Sequence, residues 1–382
     1  MKGLEILLWG VALFWALAAI HAVLNGLLIP RLPREAAKVA LPFLSVIVPA
    51  RNEEKGIGPA LEALCAQDHP NFEVVVVDDG STDRTPEILE GLARRHSNLR
   101  VIGGVEPPTG WLGKPNAQRV GFENARGEVL LFVDADVRYA PGVLRRAASE
   151  LEARRLDMLL LLSTLEARGL EHVLMSNLDA FTLYVSPAFL ANVQALKGFA
   201  FGAGSGNLVR RGALQNSGGI EALRGEVVDD VAMGRRIKAT GGRFRFVTAF
   251  PDVRVRMYDG LASAVEGFTK NYFAFFGFNP LLGAFLEGGN LAVHTLPAAL
   301  LLLAPFLPLP PVIPALAASA FGAGLVLNSA LCLWSGKPLW IAPLYPLRPL
   351  LWALILFRSA RRYYRKGIVW RGRKYGRTKR GD

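Results

Sequence analysis

Two stretches without a formal charge dictate most of what this chain can become. Residues 6–29 contain no Asp, Glu, Lys or Arg, and neither do residues 288–336. As a helix rising about 1.5 Å per residue, the first is about 36 Å long, enough to cross a bilayer core. It reads as a transmembrane helix (residues 1–30 with its flanks) rather than a cleaved signal peptide. Its apolar part exceeds the usual roughly 7 to 15 residues, and no small-residue cleavage site precedes Arg31 and Arg34. The second stretch is too long for one crossing and suits two, with Pro305, Pro308, Pro310, Pro311 and Pro314 marking the turn. A third, Pro338 to Phe357, carries Arg348 near its middle. An arginine at mid-bilayer is costly, so 338–357 is expected either as a third span or as an interfacial or re-entrant segment. The mean hydropathy of +0.28 and 51% hydrophobic residues agree with a membrane protein.

Charge sets the expected topology. Arg31, Arg34 and Lys38 follow the first helix and only Lys2 precedes it, which places the long polar region in the cytoplasm of a cell-membrane protein. Residues 358–382 hold eleven basic residues and Asp382, so this tail supplies +10 of the chain's net +12. Interleaved with Tyr363, Tyr364, Trp370 and Tyr375 and adjoining apolar segments, it reads as a cytoplasmic anchor on anionic lipid, with nucleic acid excluded as a partner. Cys65 and Cys332 fall in a helical stretch and a span, so neither a disulfide framework nor a metal cluster is expected.

Residues 41–278 form the expected cytoplasmic domain, with a donor half over 41–137 and an acceptor half over 138–278. Leu44–Val48, Phe72–Val77, Val129–Val133 and Met158–Leu162 are continuous apolar runs alternating with helical stretches. That alternation predicts an α/β domain with a parallel sheet buried on both faces. Ligands in such sheets bind beyond the carboxyl ends of the strands, where polar clusters gather here. The first is Pro49, Ala50, Arg51, Asn52, Glu53 and Glu54; the plain alternative is a helix start with Asn52 as its cap. In the second, Asp78-Asp79-Gly80-Ser81-Thr82-Asp83, a tight turn brings adjacent carboxylates that can accept from a base imide and a ribose hydroxyl. In Gly110-Trp111-Leu112-Gly113-Lys114, a lysine feeding a helix can neutralise phosphate and Trp111 can cover a flat ring. Asp134-Ala135-Asp136 leaves the next strand and could hold a divalent metal; a solvated carboxylate pair is its plain alternative.

This succession resembles the family 2 glycosyltransferases of GT-A (Rossmann-like) fold over residues 44–237. The resemblance implies a nucleotide-sugar donor, commonly a uridine diphosphate sugar such as UDP-glucose. Pro49 to Glu53 would lie at the donor, with Asp78 or Asp79 at the base and Lys114 near the phosphates. Asp134 and Asp136 would lie at ribose and metal, Mg2+ or Mn2+. Asp229-Asp230 matches the family's later acidic pair, with an aspartate where glutamate is commoner, and implies Asp230 as general base; a solvent-facing pair at a helix start is the alternative.

Gly202-Ala203-Gly204-Ser205-Gly206 lacks the spacing of a dinucleotide-binding loop. In the resemblance Gly204 and its neighbours would line the acceptor side. Glu266 to Phe273 lies where polymer-forming members carry Gln-x-x-Arg-Trp; Gly267, Lys270 and Asn271 stand there instead, which argues against a processive synthase. Lys270 remains a candidate phosphate contact. Together with Gly367 to Tyr375 and the membrane segments, the element resembles bacterial carotenoid glycosyltransferases of hydroxychlorobactene and diaponeurosporenoate type. The expectation is an inverting transfer of one hexose to a membrane isoprenoid. Polyprenyl-phosphate, hopanoid-related or diacylglycerol acceptors are its rivals, and a non-catalytic nucleotide-sugar-binding membrane protein is the rival of another class.

Overall fold

The computed structural model describes residues 2–226, 228–366, 368–370 and 373–375; the rest of the basic tail, and all side chains from Lys366 onward, lie outside the described residues. In chain order the elements are α1 Lys2–Leu28, β1 Leu44–Ala50, α2 Ile57–Cys65, β2 Phe72–Asp78, α3 Thr85–Arg95, β3 Leu99–Gly103, α4 Gly113–Asn124, β4 Val129–Phe132, β5 Val137–Tyr139 and α5 Val143–Ala153. Then follow β6 Met158–Leu162, β7 Thr164–Leu165, α6 Glu171–Ala180, β8 Asn207–Arg210, α7 Arg211–Asn216, α8 Asp229–Ala239, β9 Phe244–Thr248 and β10 Val253–Val255. The C-terminal elements are α9 Leu261–Phe275, α10 Pro280–Asn290, α11 Leu296–Leu303, α12 Val312–Ser335, α13 Arg348–Lys366 and an antiparallel pair, β11 Ile368–Trp370 with β12 Arg373–Tyr375.

The chain divides into two compact units. Residues 28–165 and 188–256 form an α/β unit; residues 1–27, 166–187 and 257–382 form a helical unit. Residues 166–187, inside the stretch taken from sequence as the acceptor half, therefore group with the apolar helices.

The α/β unit is built on a seven-stranded sheet of order β3-β2-β1-β4-β8-β6-β9. All four apolar runs form strands of this sheet. Alternation sorts β1 onto two faces: Leu44, Val46 and Val48 join one buried cluster and Ile47 the other. The parallel pairing predicted from sequence holds for β3-β2-β1-β4 and for β6-β9, whereas β8 runs antiparallel to both β4 and β6. Residues 202–206 lie at the carboxyl edge of β4, where Asn207 pairs with Phe132, so β8 starts at that edge and runs away from it. Register places Ala50 opposite Asp78, aligning the ends of β1 and β2 on the same edge. A second small sheet has the order β5-β10-β7.

Within the helical unit, Val11, Trp15 and Ala18 of α1 pack with Ala180, Leu183, Tyr184, Ala320, Leu327 and Tyr345. Asn25 donates its amide to the carbonyls of Leu183 and Ser186 at 2.8 Å each. Among the described residues four helices are long and apolar enough to cross a membrane: Lys2–Leu28, Pro280–Phe306, Val312–Ser335 and Leu339–Arg365. The last begins as 3-10 turns over Leu339–Leu347, where Pro343 and Pro346 block α-helical hydrogen bonding, and becomes α13 at Arg348. Arg348 is 2% exposed and donates to Tyr184 Oη at 2.6 Å and Asn328 Oδ1 at 3.2 Å. The arginine that made this segment doubtful as a span is thus hydrogen-bonded inside the helical unit.

Candidate active site

The first two polar clusters interlock across the ends of β1 and β2. Pro49 and Ala50 close β1. The Arg51 guanidinium lies 3.6 Å from Asp79 Oδ2 and also donates to the Asp79 carbonyl. Asn52 has a φ of +53°, a left-handed conformation that asparagine tolerates. It does not cap the helix, since α2 starts at Ile57. Its backbone N–H donates to Ser81 Oγ at 2.9 Å, and Thr82 N–H donates to Asn52 Oδ1 at 2.8 Å. Glu53 N–H likewise donates to Thr85 Oγ1 at 2.8 Å. Asp79 is buried, whereas the half-buried Asp78 accepts from Ser81 N–H at 3.1 Å. The turn is stiffened by side-chain to main-chain bonds, as befits a preformed binding surface.

The third and fourth clusters meet at Lys114, in the first turn of α4. Lys114 Nζ is 2.8 Å from Asp134 Oδ1 and 3.4 Å from Asp229 Oδ1. Burial pulls the lysine pKa down, but Asp134, Asp229 and Asp230 more than offset it and hold the ammonium well above its usual range. Asp134 stands beyond β4, its backbone N–H donating to Gly204 O at 2.8 Å. Asp136 follows one residue after the buried Ala135 and is half-buried. A Cβ built on Gly56 would lie 3.8 Å from Asp136 Cβ, so the turn before α2 borders this carboxylate.

Asp229 and Asp230 open α8, as the sequence predicts, but their environments differ. Asp229 is 3% exposed and both its oxygens are engaged: Oδ1 faces Lys114, and Oδ2 accepts from Gln118 Nε2 at 2.7 Å. Asp230 Oδ1 accepts its neighbour's N–H, from Val231 at 2.8 Å. Burial pushes the Asp230 carboxyl up to about 6; Lys114 opposes the rise, and Asp229 and Asp134 add to it. A carboxyl poised there can accept a proton near neutral pH.

The glycine-rich stretch is not a free loop. A Cβ at Gly204 would lie 1.9 Å from Asp134 Oδ2, and one at Gly202 would lie 2.1 Å from the Asp230 carbonyl carbon. These two glycines let the backbone press against the Asp134 carboxylate and the Asp230 main chain. Trp111 lies beside the site helix with the Arg119 guanidinium 5.4 Å from its ring. Lys270 lies on α9, in the other compact unit. Sequence reasoning missed Gln118. Its signal was the position one helical turn after Lys114, which puts both side chains on one face of α4.

Residues 45–218 match the model of glycosyl transferase family 2. A beta-monoglucosyldiacylglycerol synthase of Nostoc sp. (strain PCC 7120) is 29% identical over 221 residues, which is 56% of this chain and 46% of that protein. The enzyme of the same description from Synechocystis sp. is 34% identical over 148 residues, 36% of this chain and 30% of its own. The chain thus spans less than half the length of these relatives. A solved mannosyltransferase from Pyrobaculum calidifontis, in complex with GDP-Man and Mn2+, aligns with a TM-score of 0.56 at 22% identity, covering 93% of this chain and 99% of that one. The sheet, the polar edge and these similarities agree: residues 45–218 are similar to glycosyl transferase family 2, and the unit has the α/β GT-A fold.

Proposed function

We propose that this chain is a membrane-associated inverting hexosyltransferase that moves one hexose, glucose in the first instance, from its uridine diphosphate to a hydroxyl or carboxyl of a carotenoid or related isoprenoid. The observation that carries the reading is Lys114 standing between Asp134 and Asp229, next to the raised carboxyl of Asp230. In the proposed step the acceptor oxygen attacks the anomeric carbon and its proton passes to Asp230. The bond to the diphosphate breaks from the opposite face, and its electron pair leaves with the phosphate. Lys114 faces the charge that develops on that phosphate. Asp229, with both oxygens occupied, holds the start of α8 in place. The nucleoside would lie over Pro49 to Glu53, with Asp78 or Asp79 at the base.

Among the described residues no group of three or more His, Cys, Asp or Glu forms a metal cage. Two carboxylates one residue apart at a strand end nevertheless suit a hard cation that takes its other ligands from diphosphate and water. Asp136 and Asp134 are the residues that would hold Mg2+ or Mn2+, which when bound neutralises the departing diphosphate.

A lipid acceptor is supported by four helices able to cross a membrane. The positive flank Arg31, Arg34 and Lys38 supports a cytoplasmic active site, and the basic tail would bind anionic lipid on the same side. Diacylglycerol is the second reading, favoured by the names of the cyanobacterial relatives. The deciding experiment incubates membranes containing the protein with labelled UDP-sugars and identifies the labelled lipid by mass. Wild type should transfer, and Asp136→Ala, Asp230→Ala and chelator-treated protein should not. Donor binding without turnover on any lipid extract would leave only a binding module.

A further inference from the structure

Helix α8, which presents Asp230, is docked along residues 199–204. Beyond the close approach at Gly202, a Cβ on Gly234 would meet the Phe201 carbonyl oxygen at 2.6 Å. At the far end of the helix Lys238, 1% exposed, donates to the carbonyls of Ala191 and Phe199 at 2.7 Å each. Burial lowers its pKa. The two carbonyls and the negative end of the helix dipole compensate the buried charge. Lys238 thereby closes the base of the loop 193–198.

Two amides hold the same base from the other side. Asn192 accepts from Phe246 N–H at 2.7 Å and donates to Phe246 O at 3.0 Å. Gln194 accepts from Phe244 N–H at 3.1 Å and donates to Phe244 O at 2.5 Å. Because β9 is an edge strand of the main sheet, these side chains occupy hydrogen-bonding positions that a further strand would fill. Internal turns, Leu196 N–H to Val193 O at 3.2 Å and Phe199 N–H to Leu196 O at 3.0 Å, shape the tip. On this fixed base Val193 and Leu196 are each 41% exposed, and Lys197 is the only charge among residues 193–198.

We infer that loop 193–198 is the acceptor-recognition element, receiving the apolar chain of a lipid whose reacting group lies at Asp230; this rests on the proposed transferase function. The occupant follows from chain continuity. The backbone that leaves the loop becomes the wall pressed against Asp230 and Asp134, and from Leu196 to Gly202 it extends at most about 21 Å. A lipid chain bridges such a span while its polar end stays at the base. Displaying two aliphatic side chains on a pinned loop is unfavourable in water and becomes favourable when an apolar ligand covers them.

The test uses the full chain carrying Val193→Asp and Leu196→Asp together, with a long-chain isoprenoid alcohol and its short-chain counterpart as acceptors. The KM for the long acceptor should rise about tenfold or more, the loss of roughly one buried aliphatic contact, while donor KM and transfer to the short acceptor hold. Equal losses on both acceptors, or none, overturn the inference. A second arm needs no turnover: Leu196→Cys carries an environment-sensitive fluorophore, since Cys65 and Cys332 are buried. A blue shift with the long alcohol and none with the short one supports the loop; unchanged emission overturns it. A wild type that glycosylates no lipid would instead defeat the transferase reading.

Discussion

The ammonium of Lys114 lies 2.8 Å from Asp134, so a residue of α4 is tied to the carboxylate that leaves β4. The same lysine is 3.4 Å from Asp229 at the start of α8. One side chain therefore ties α4 both to the residue beyond β4 and to the start of α8. Lys114→Met removes the cation from this junction. It should lower kcat/KM for the nucleotide sugar about a hundredfold, measured from initial rates with labelled donor, with thermal stability measured alongside.

Asp230 sets a pH limb. With its carboxyl pushed up to about 6 by burial, the base is charged above that pH and lost below it. The rate should be flat above neutrality and fall about tenfold per unit of pH on the acid side. Asp230→Asn should abolish this limb together with transfer. The stability sign is opposite: a raised folded-state pKa contributes stability at low pH that is lost as pH rises through about 6. Asp230→Asn should therefore melt no lower than wild type at neutral pH, as scanning calorimetry would show.

Gly204→Ala places a methyl 1.9 Å from Asp134 Oδ2, while Gly91→Ala meets nothing within 4 Å. A displacement of about 1 Å at a positioned carboxylate costs on the order of a hundredfold in rate. Transfer assays should show that loss for Gly204→Ala and none for Gly91→Ala.

Glu73 lies 1% exposed in β2 and accepts from Arg126, Arg100 and Ser45 Oγ. Burial alone would raise its carboxyl, but these donors hold it down at about 2. Its contribution to stability is present above its ordinary value near 4.5 and lost as pH falls toward 2. Glu73→Gln should melt lower than wild type at neutral pH, and the gap should close through that window.

Arg348→Leu takes the guanidinium from the Tyr184 hydroxyl and the Asn328 side-chain oxygen, which still face each other at 3.4 Å. Losing a buried hydrogen bond to a charged group costs about 1.5–3 kcal/mol, which should appear as a lower Tm of the detergent-solubilised protein. Arg348→Lys should not rescue it, because an ammonium lacks the planar fork that reaches both partners.

Much of the site is legible in the residues themselves. Continuous apolar runs announce buried strands, and polar clusters directly after them mark the carboxyl edge. The two charge-free stretches match three helices of spanning length, and Asp229-Asp230 opens a helix as its composition predicts. These features are local: each depends on side chains close together along the chain. Gln118 was hidden because its partner Asp229 is 111 residues away.

What the sequence by itself determined is therefore the alternation of strands and helices, the placement of Asp78, Lys114, Asp134 and Asp230 at element ends, and the helices apolar enough for a membrane. Only the tertiary structure decided that β8 runs antiparallel, that Gly202 presses on the Asp230 main chain and Gly204 on the Asp134 carboxylate, and that Arg348 is hydrogen-bonded within its helical unit. The physical reason is the range of the forces. Propensity and hydrophobic period act over a few residues, whereas strand direction, close backbone approach and the pairing of buried charge depend on which distant segments pack together.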